Sequence, residues 1–176
     1  MAPTKDPDLA GSFFGSVGRA LAIGARHSVL IAKGDVAADG PITAVVTTDH
    51  SPYSDRALRL LCKLNPSGIN RVILLTALDV AMIGGADEPH IDRLRSYFTT
   101  RGENVAKFMI ASGIPTELRI VEAELDQAIH DQMEENGANL LVMGAQGHGF
   151  LKRLFIGSSA LREVVATNFS ILILRP

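Results

Sequence analysis

The stretch Leu140-Leu141-Val142-Met143-Gly144-Ala145-Gln146-Gly147-His148-Gly149 decides the fold of this 176-residue chain. It begins with four consecutive apolar residues and runs directly into a turn with three glycines in six residues. A short apolar run of this kind is typical of a strand that is buried on both faces, as in a parallel sheet covered by helices. The stretch therefore predicts a buried strand that ends in a glycine-rich turn.

Similar apolar runs occur on either side of this stretch, and segments with helical periodicity separate them. The predicted strands are Thr43–Thr48, Arg71–Leu78, a short strand around Leu118 and Ile120, Leu140–Met143, and Ile171–Leu174. The predicted helices are Tyr53–Leu64, Pro89–Ala111, a segment from Leu125 to Met133, and a last helix from about Ser158 to Thr167. This alternation indicates βαβ units, and so an α/β fold with a parallel sheet of five strands.

The composition excludes several classes of function. The 17 basic and 19 acidic residues leave a net charge of −2, which gives no broad field to attract a polynucleotide. The single cysteine, Cys62, cannot form an internal disulfide, and no Cys or His residues have the spacing of metal ligands, which favours a reducing compartment. We therefore expect a soluble, cytoplasmic protein with no membrane partner, in which Cys62 is a small buried hydrophobe.

The glycine-rich turn carries the strongest chemical signal. Glycines such as Gly144, Gly147 and Gly149 let backbone N–H groups approach a ligand with no Cβ in the way, so that successive amides can hold a phosphate. Nine residues separate Gly147 from Gly157-Ser158-Ser159, whose serines open a predicted helix with its free N–H groups. The spacing predicts a polyphosphate site; the alternative is that the glycines only make a turn and Ser158 only caps the helix.

Charged residues lie inside the same span. Lys152 and Arg153 can meet phosphate charge there, although exposed basic residues often only solvate a loop. His148 is assigned proximity to the ligand and no catalytic role, because a loop histidine without a partner is weak evidence for catalysis.

The end of the first strand supplies the other wall of the predicted site. Open α/β sheets bind ligands at the carboxyl ends of their strands, where this chain has Thr47-Thr48-Asp49-His50-Ser51. Asp49 can accept ribose hydroxyls or help to hold Mg²⁺. Its alternative role is to cap the following helix together with Ser51 and Ser54.

In these motifs the chain resembles the nucleotide-binding branch of the universal stress protein family, over roughly Pro41 to Pro176. The resemblance rests on the spacing from Gly144-x-x-Gly147 to Gly157-Ser158, on Asp49-x-Ser51-x-x-Ser54-x-x-Ala57-Leu58, and on the strand that ends in Met143-Gly144. The chain departs from the family pattern at four positions, which are Thr76 where His is common in the second strand, Ala123, Asn139 and Ser170.

The resemblance implies a Rossmann-like fold, with strand order 3-2-1-4-5 and helices on both faces of the sheet. It also implies that ATP and Mg²⁺ are bound, with the adenine near the backbone of Thr47, Thr48 and Ala77. Asp49 would face the ribose and help to hold the Mg²⁺ ion. The phosphates would be held by Met143, Gly144, Gly147, His148, Gly149, Gly157, Ser158 and Ser159.

Residues 1–40 form a predicted N-terminal extension before a domain at residues 41–176. The segment from Gly15-Ser16 to Val29-Leu30-Ile31 matches Gly157-Ser158 to Ile171-Leu172-Ile173 at a constant offset of 142 residues. We interpret it as the last helix and strand of a preceding, mostly missing copy. In the family, last strands commonly pair across a dimer, so we predict that Val29–Ala32 pairs with a last strand, in its own chain or in a neighbour. The alternatives are a disordered tail and a targeting peptide.

The predicted function is an ATP-binding regulatory module of the stress response, which forms a homodimer through its last strand and acts on an unidentified regulatory protein. At most slow ATP hydrolysis is expected, because neither His50 nor Glu163 can be assigned as a general base. One alternative is an adenine-nucleotide hydrolase or transferase, whose Ser-Gly-Gly pyrophosphate loop is replaced here by Asp49-His50-Ser51-Pro52. A P-loop motif is absent from the sequence, and a nucleotide-free dimerisation module is the remaining alternative.

Overall fold

A computed structural model describes residues 20, 24–33, 40–79, 88–145 and 169–176 of the chain. In chain order, the elements are β1 (Val29–Ile31), β2 (Ile42–Thr47), α1 (Pro52–Leu64), β3 (Ile69–Ala77), α2 (Glu88–Ala111), β4 (Thr116–Val121), α3 (Leu125–Glu135), β5 (Leu140–Gly144) and β6 (Ser170–Leu174). The last predicted helix, from Ser158 to Thr167, lies outside the described residues. No described helix is both long enough and apolar enough to span a bilayer.

The described strands form one sheet in the order β1-β6-β5-β2-β3-β4. The five strands from β2 to β6 run parallel to one another, and counted among themselves they have the predicted order 3-2-1-4-5. The predicted five parallel strands are confirmed, and the sheet contains one strand more than this count. A sixth strand, β1, is added antiparallel to β6, because the N-terminal segment runs back along the free edge of the last strand.

Helices cover both faces of the sheet, as predicted. Side chains alternate across a strand, so neighbouring residues of β2 enter opposite halves of the core. On one face, Val45 packs in a cluster with Ile129 of α3. On the other face, Val46 packs in a cluster with Leu61 of α1 and Met109 of α2. The central strands are thus shielded on both sides, which explains their continuous apolar sequences.

Helix α1 has clear signals at both ends. Ser51 is its N-cap and its hydroxyl oxygen accepts a hydrogen bond from the Ser54 backbone N–H, at 3.2 Å. Pro52 begins the helix, one residue before the predicted start, because the first turn does not need the N–H that proline lacks. Asn65 ends the helix with a φ of 40°, a left-handed conformation that asparagine tolerates better than most residues.

Helix α2 lies close to strand β4 at Gly102. A Cβ placed at Gly102 would be 2.5 Å from Cδ1 and 2.9 Å from Cδ2 of Leu118. Glycine costs a helix interior about 1 kcal/mol relative to alanine, and here it removes the atom that would collide with the strand. Gly102 therefore sets how closely α2 approaches the sheet.

Strand β1 confirms the prediction that Val29–Ala32 pairs with a last strand, and it does so within the same chain. Val29, Leu30 and Ile31 lie opposite Ile173, Leu172 and Ile171 respectively. Ile31 packs against the core cluster on the α3 face, whereas the Leu30 side chain is 61% exposed.

Candidate functional site

The topology creates a crevice between the carboxyl ends of β2 and β5. The strand that follows β2 in the chain, β3, lies on the side of β2 away from β5. The strand that follows β5, β6, lies on the side of β5 away from β2. Open α/β sheets bind ligands at such a switch point. Val46 of β2 lies opposite Val142 of β5, so the residues two positions further on, Thr48 and Gly144, lie at the same edge of the sheet.

Thr48 fixes the path of the chain as it leaves β2. Its backbone N–H donates to the carbonyl oxygen of Leu75, at 2.9 Å, which extends the pairing with β3 by one residue. Its buried hydroxyl lies 2.9 Å from the hydroxyl of Ser54 and accepts from the His50 backbone N–H, at 3.1 Å. The side chain of Thr48 therefore stabilises the turn into α1.

Asp49 takes part in the same turn. Its Oδ1 accepts a hydrogen bond from the Ser51 backbone N–H, at 3.0 Å. This contact matches the capping alternative considered from the sequence, because it orients the residue that caps α1. No three His, Cys, Asp or Glu side chains in the described part of the chain lie close enough together to hold a metal ion.

His50 follows with an unusual backbone and a buried ring. Its φ is 54°, in the left-handed region that non-glycine residues rarely adopt, and the residue is only 4% exposed. Nε2 lies 3.0 Å from the hydroxyl oxygen of Thr76 in β3, and the ring stacks on Phe98 of α2 with the ring centres 5.4 Å apart. His50 thus connects the end of β2 to both β3 and α2.

The environment of His50 favours its neutral form. Burial lowers the pKa of the imidazole below its ordinary value, and the positive charge of Arg101 lowers it further, against opposing effects of Asp55 and Asp49. Nδ1 is buried and has no hydrogen-bond partner among the residues that the structure describes. His50 Nδ1 is therefore an unsatisfied polar atom in the turn after β2, which a ligand group or a water can complete.

No residue pattern predicted this role of His50. Thr76 stands where the family commonly has a histidine, and His50 was weighed only as a general base. In the structure, the imidazole of His50, which follows β2, contacts the hydroxyl of Thr76 in β3. A histidine ring therefore lies beside position 76, but it belongs to His50. The only signal in the sequence was a histidine directly after Asp49, where the chain must turn.

The other predicted residues on β2, β3 and β5 lie at the same sheet edge. Thr47 and Ala77 are the half-buried last residues of β2 and β3, and Gly144 is the half-buried last residue of β5. Met143 differs, because its side chain packs in the core cluster on the α3 face. Only the backbone of Met143 is thus free to approach a ligand, as a backbone phosphate site requires.

The glycine-rich turn itself is not described beyond Ala145. Among the predicted site residues, Gly147, His148, Gly149, Gly157, Ser158 and Ser159 lie outside the described residues, as do Lys152, Arg153 and Glu163. Their part in the site stays a prediction.

One backbone oxygen at the end of β6 connects that strand to the chain leaving β5 and to α1. The carbonyl oxygen of Leu174 accepts from the backbone N–H of Ala145, at 2.9 Å, and from the hydroxyl of Tyr53 in α1, at 3.4 Å. The first turn of α1 and the chain leaving β5 are therefore both attached to the last residue of β6.

Comparison with known proteins agrees with this architecture. A model of the Universal stress protein family matches residues 43–175 of the chain. Among curated proteins, Universal stress protein Slr1230 of Synechocystis sp. (strain ATCC 27184 / PCC 6803 / Kazusa) is 30% identical over 69 residues. That match covers 39% of this chain and only 24% of the length of the relative.

Solved structures share the fold over most of the chain. The structure of the hypothetical protein MJ0577 matches with a TM-score of 0.64 and 24% identity, over 77% of this chain and 96% of that one. A universal stress protein solved in complex with cAMP matches with a TM-score of 0.57 and 23% identity, over 77% of this chain and 97% of that one. At these identities, the similarity shows a common fold.

Proposed function

This chain belongs to the universal stress protein family, and on that premise we propose that it is an ATP-binding regulatory module of the stress response. The observation that carries the proposal is that β2 and β5 are neighbours, with Val46 opposite Val142, so that Asp49 follows the carboxyl end of one strand and Gly144 ends the other. This is the point at which α/β sheets bind nucleotides. A related protein of the same fold has been solved with cAMP, which supports an adenine nucleotide as the ligand.

In this proposal, the backbone near Thr47, Thr48 and Ala77 contacts the adenine, and Asp49 faces the ribose. The backbone of Met143 and Gly144 begins the phosphate site, which continues through Gly147 to Gly149 and Gly157 to Ser159. The half-buried strand ends support this arrangement, because they leave main-chain groups accessible while the side chain of Met143 stays in the core.

Mg²⁺ would be held by Asp49 together with the phosphates of the nucleotide. The ion is usually bound by one or two carboxylates plus substrate phosphates, so a single carboxylate at this edge fits its chemistry. When bound, the ion neutralises phosphate charge.

We propose at most slow ATP hydrolysis, which suits a module that reports nucleotide occupancy. The neutral ring of His50 meets the Thr76 hydroxyl and stacks on Phe98, contacts that position the turn after β2. The proposal extends to a homodimer through β6, an unidentified regulatory protein partner and a cytoplasmic location. Because β1 lies on the outer edge of β6, a dimer through that edge requires β1 to be replaced.

Nucleotide titration tests the proposal directly. Purified protein would be titrated with ATP, ADP, AMP and GTP with and without Mg²⁺, and products would be analysed over hours. Micromolar ATP binding with little turnover supports the regulatory module, and rapid turnover would favour the adenine-nucleotide hydrolase. A chain that binds none of these nucleotides would be a nucleotide-free module.

Two substitutions locate the site. Gly147→Val should reduce ATP affinity at least tenfold by placing a branched Cβ in the phosphate cradle, whereas the control Gly24→Val should not, because a Cβ at Gly24 has nothing within 4 Å. Asp49→Asn keeps an oxygen that can accept from the Ser51 N–H but removes the charge. We expect it to abolish the effect of Mg²⁺ on ATP affinity; an unchanged effect would limit Asp49 to its role in the turn.

A further inference from the structure

The antiparallel pair formed by β1 and β6 has pseudo-two-fold symmetry. The central pair is Leu30 with Leu172, flanked by Val29 with Ile173 and by Ile31 with Ile171. The internal repeat, at its offset of 142 residues, makes Leu30 the equivalent of Leu172. Each β1 residue therefore lies where the equivalent residue of a second β6 would lie if two copies paired around Leu172.

Hydrogen bonds beyond the strands obey the same symmetry. The backbone N–H of Arg175 donates to the hydroxyl oxygen of Ser28, at 3.0 Å, and the backbone N–H of Lys33 donates to the hydroxyl oxygen of Ser170, at 3.1 Å. Ser28 and Ser170 are equivalent in the repeat, and so are Lys33 and Arg175. The two bonds are thus one contact made twice, once in each direction, as an isologous interface requires.

We propose that β1 is an intrachain substitute for the β6 strand of a second copy, and that it keeps this edge closed until it is displaced. An open strand edge is a template for pairing with another chain, and β1 covers it with the residues that a second copy would offer. The occupant that competes with β1 is therefore β6 of another molecule of this protein. The inference rests on the proposed dimer edge and not on nucleotide binding.

The cover formed by β1 is shorter than the strand that it replaces. β1 contributes three residue pairs and leaves Leu30 61% exposed, whereas β6 has five residues. Two antiparallel β6 strands centred on Leu172 would form up to five residue pairs, with Ser170 of each strand opposite Leu174 of the other. A second copy can thus pair over a longer stretch than β1 does.

The test weakens β1 in the full-length chain without altering β6. Successive N–H groups of a strand point to opposite sides, so the double substitution Val29→Pro/Leu30→Pro removes a ladder donor whichever of the two residues provides it. By analytical ultracentrifugation, we expect the natural chain to be monomeric and the double variant to dimerise at least tenfold more tightly. Circular dichroism and thermal melting would establish that the variant is folded.

A milder variant guards against a failure to fold. Ser28→Ala removes one of the two reciprocal bonds, which is worth about a factor of five in the opening of β1 in each copy. Because both copies must open, it should tighten dimerisation by about 25-fold. Ser112→Ala, which removes a hydroxyl contact on the exposed end of α2, should leave the dimerisation constant unchanged.

Crosslinking identifies the edge that pairs. Leu172→Cys in the double-proline background should yield a covalent dimer with a short thiol crosslinker, because the two positions meet at the axis. Leu64→Cys, on the exposed surface of α1, should not, and the natural Cys62 is buried. A folded double variant that stays monomeric overturns the proposal, as does a natural chain that already dimerises and crosslinks at position 172 equally well. ATP titration of the same samples reports on nucleotide binding separately.

Discussion

The left-handed backbone of His50 predicts that glycine is more stable than alanine at this position, which is the reverse of the usual order. We consider His50→Ala and His50→Gly, which remove the same contacts with Thr76 and Phe98. Both variants should lose stability, because a buried hydroxyl loses its partner and the ring leaves a void; the first effect alone costs about 1–3 kcal/mol. The difference between the unfolding free energies of the two variants therefore reports the effect of the backbone conformation.

At a φ of 54°, alanine keeps its Cβ too close to the following carbonyl, at a cost of about 1–2 kcal/mol, and glycine does not. Glycine loses about 0.5–1 kcal/mol more conformational freedom on folding than alanine does. The difference leaves His50→Gly more stable than His50→Ala by about 0.5–1 kcal/mol. A glycine is thus expected to be better than an alanine in a buried position.

Urea unfolding followed by circular dichroism measures this difference, provided that the two variants have the same dependence on denaturant. Arg56 supplies the matched control, because it is exposed in the middle of α1 with an ordinary helical backbone. There the order should reverse, with Arg56→Gly less stable than Arg56→Ala by about 1 kcal/mol. If His50→Ala proves at least as stable as His50→Gly while the Arg56 pair behaves as expected, the assignment of strain to His50 is wrong.

Further predictions concern pH, capping and packing. The lowered pKa of His50 means that the unfolded chain binds its proton more readily, so the unfolding free energy should fall as pH drops below about 6.5, with a slope smaller than the one-proton limit of about 1.4 kcal/mol per pH unit. Thermal melts from pH 7.5 to 5 should show a shallower fall for His50→Gln. Ser51→Ala should cost about 1 kcal/mol in urea unfolding by removing the cap of α1, whereas Ser112→Ala should cost less. Gly102→Val should cost at least about 1–3 kcal/mol by overpacking against Leu118, and an unchanged cost when Leu118→Ala is added would exclude this contact as the cause.

The central strands could be predicted because burial on both faces leaves them continuously apolar. The start of β3 shows where this signal ends. Asn70 is exposed and polar, so the predicted strand began after it, at Arg71, whereas backbone pairing begins at Ile69, opposite Ile42. The apolar pattern reports burial of side chains, and pairing of the backbone continues beyond it.

The order of the strands and the sixth strand came from different kinds of information. The order 3-2-1-4-5 followed from the family resemblance, since no local pattern specifies which parallel strands are neighbours. Strand β1 was predicted to pair because Val29–Ile31 repeats Ile171–Ile173, a relation visible only across 142 residues. Whether it would pair in its own chain was left open, because the sequence alone does not fix the geometry of the connection.

At the site, local contacts were predictable and distant ones were not. The cap formed by Ser51, with Asp49 behind it, follows from residues two and three positions apart. The contact between His50 and Thr76 spans 26 residues and depends on how β2 and β3 are aligned, which single-residue patterns do not specify.

The carbonyl oxygen of Leu174 has a consequence for communication within the molecule. It accepts from Ala145 beside the crevice and from Tyr53 in the first turn of α1, so both lone pairs are engaged at the very end of β6. A shift of that strand end must alter both bonds together. If replacing β1 by a second copy changes nucleotide affinity by some factor, thermodynamic reciprocity requires the nucleotide to change the tendency of the strand to exchange by the same factor.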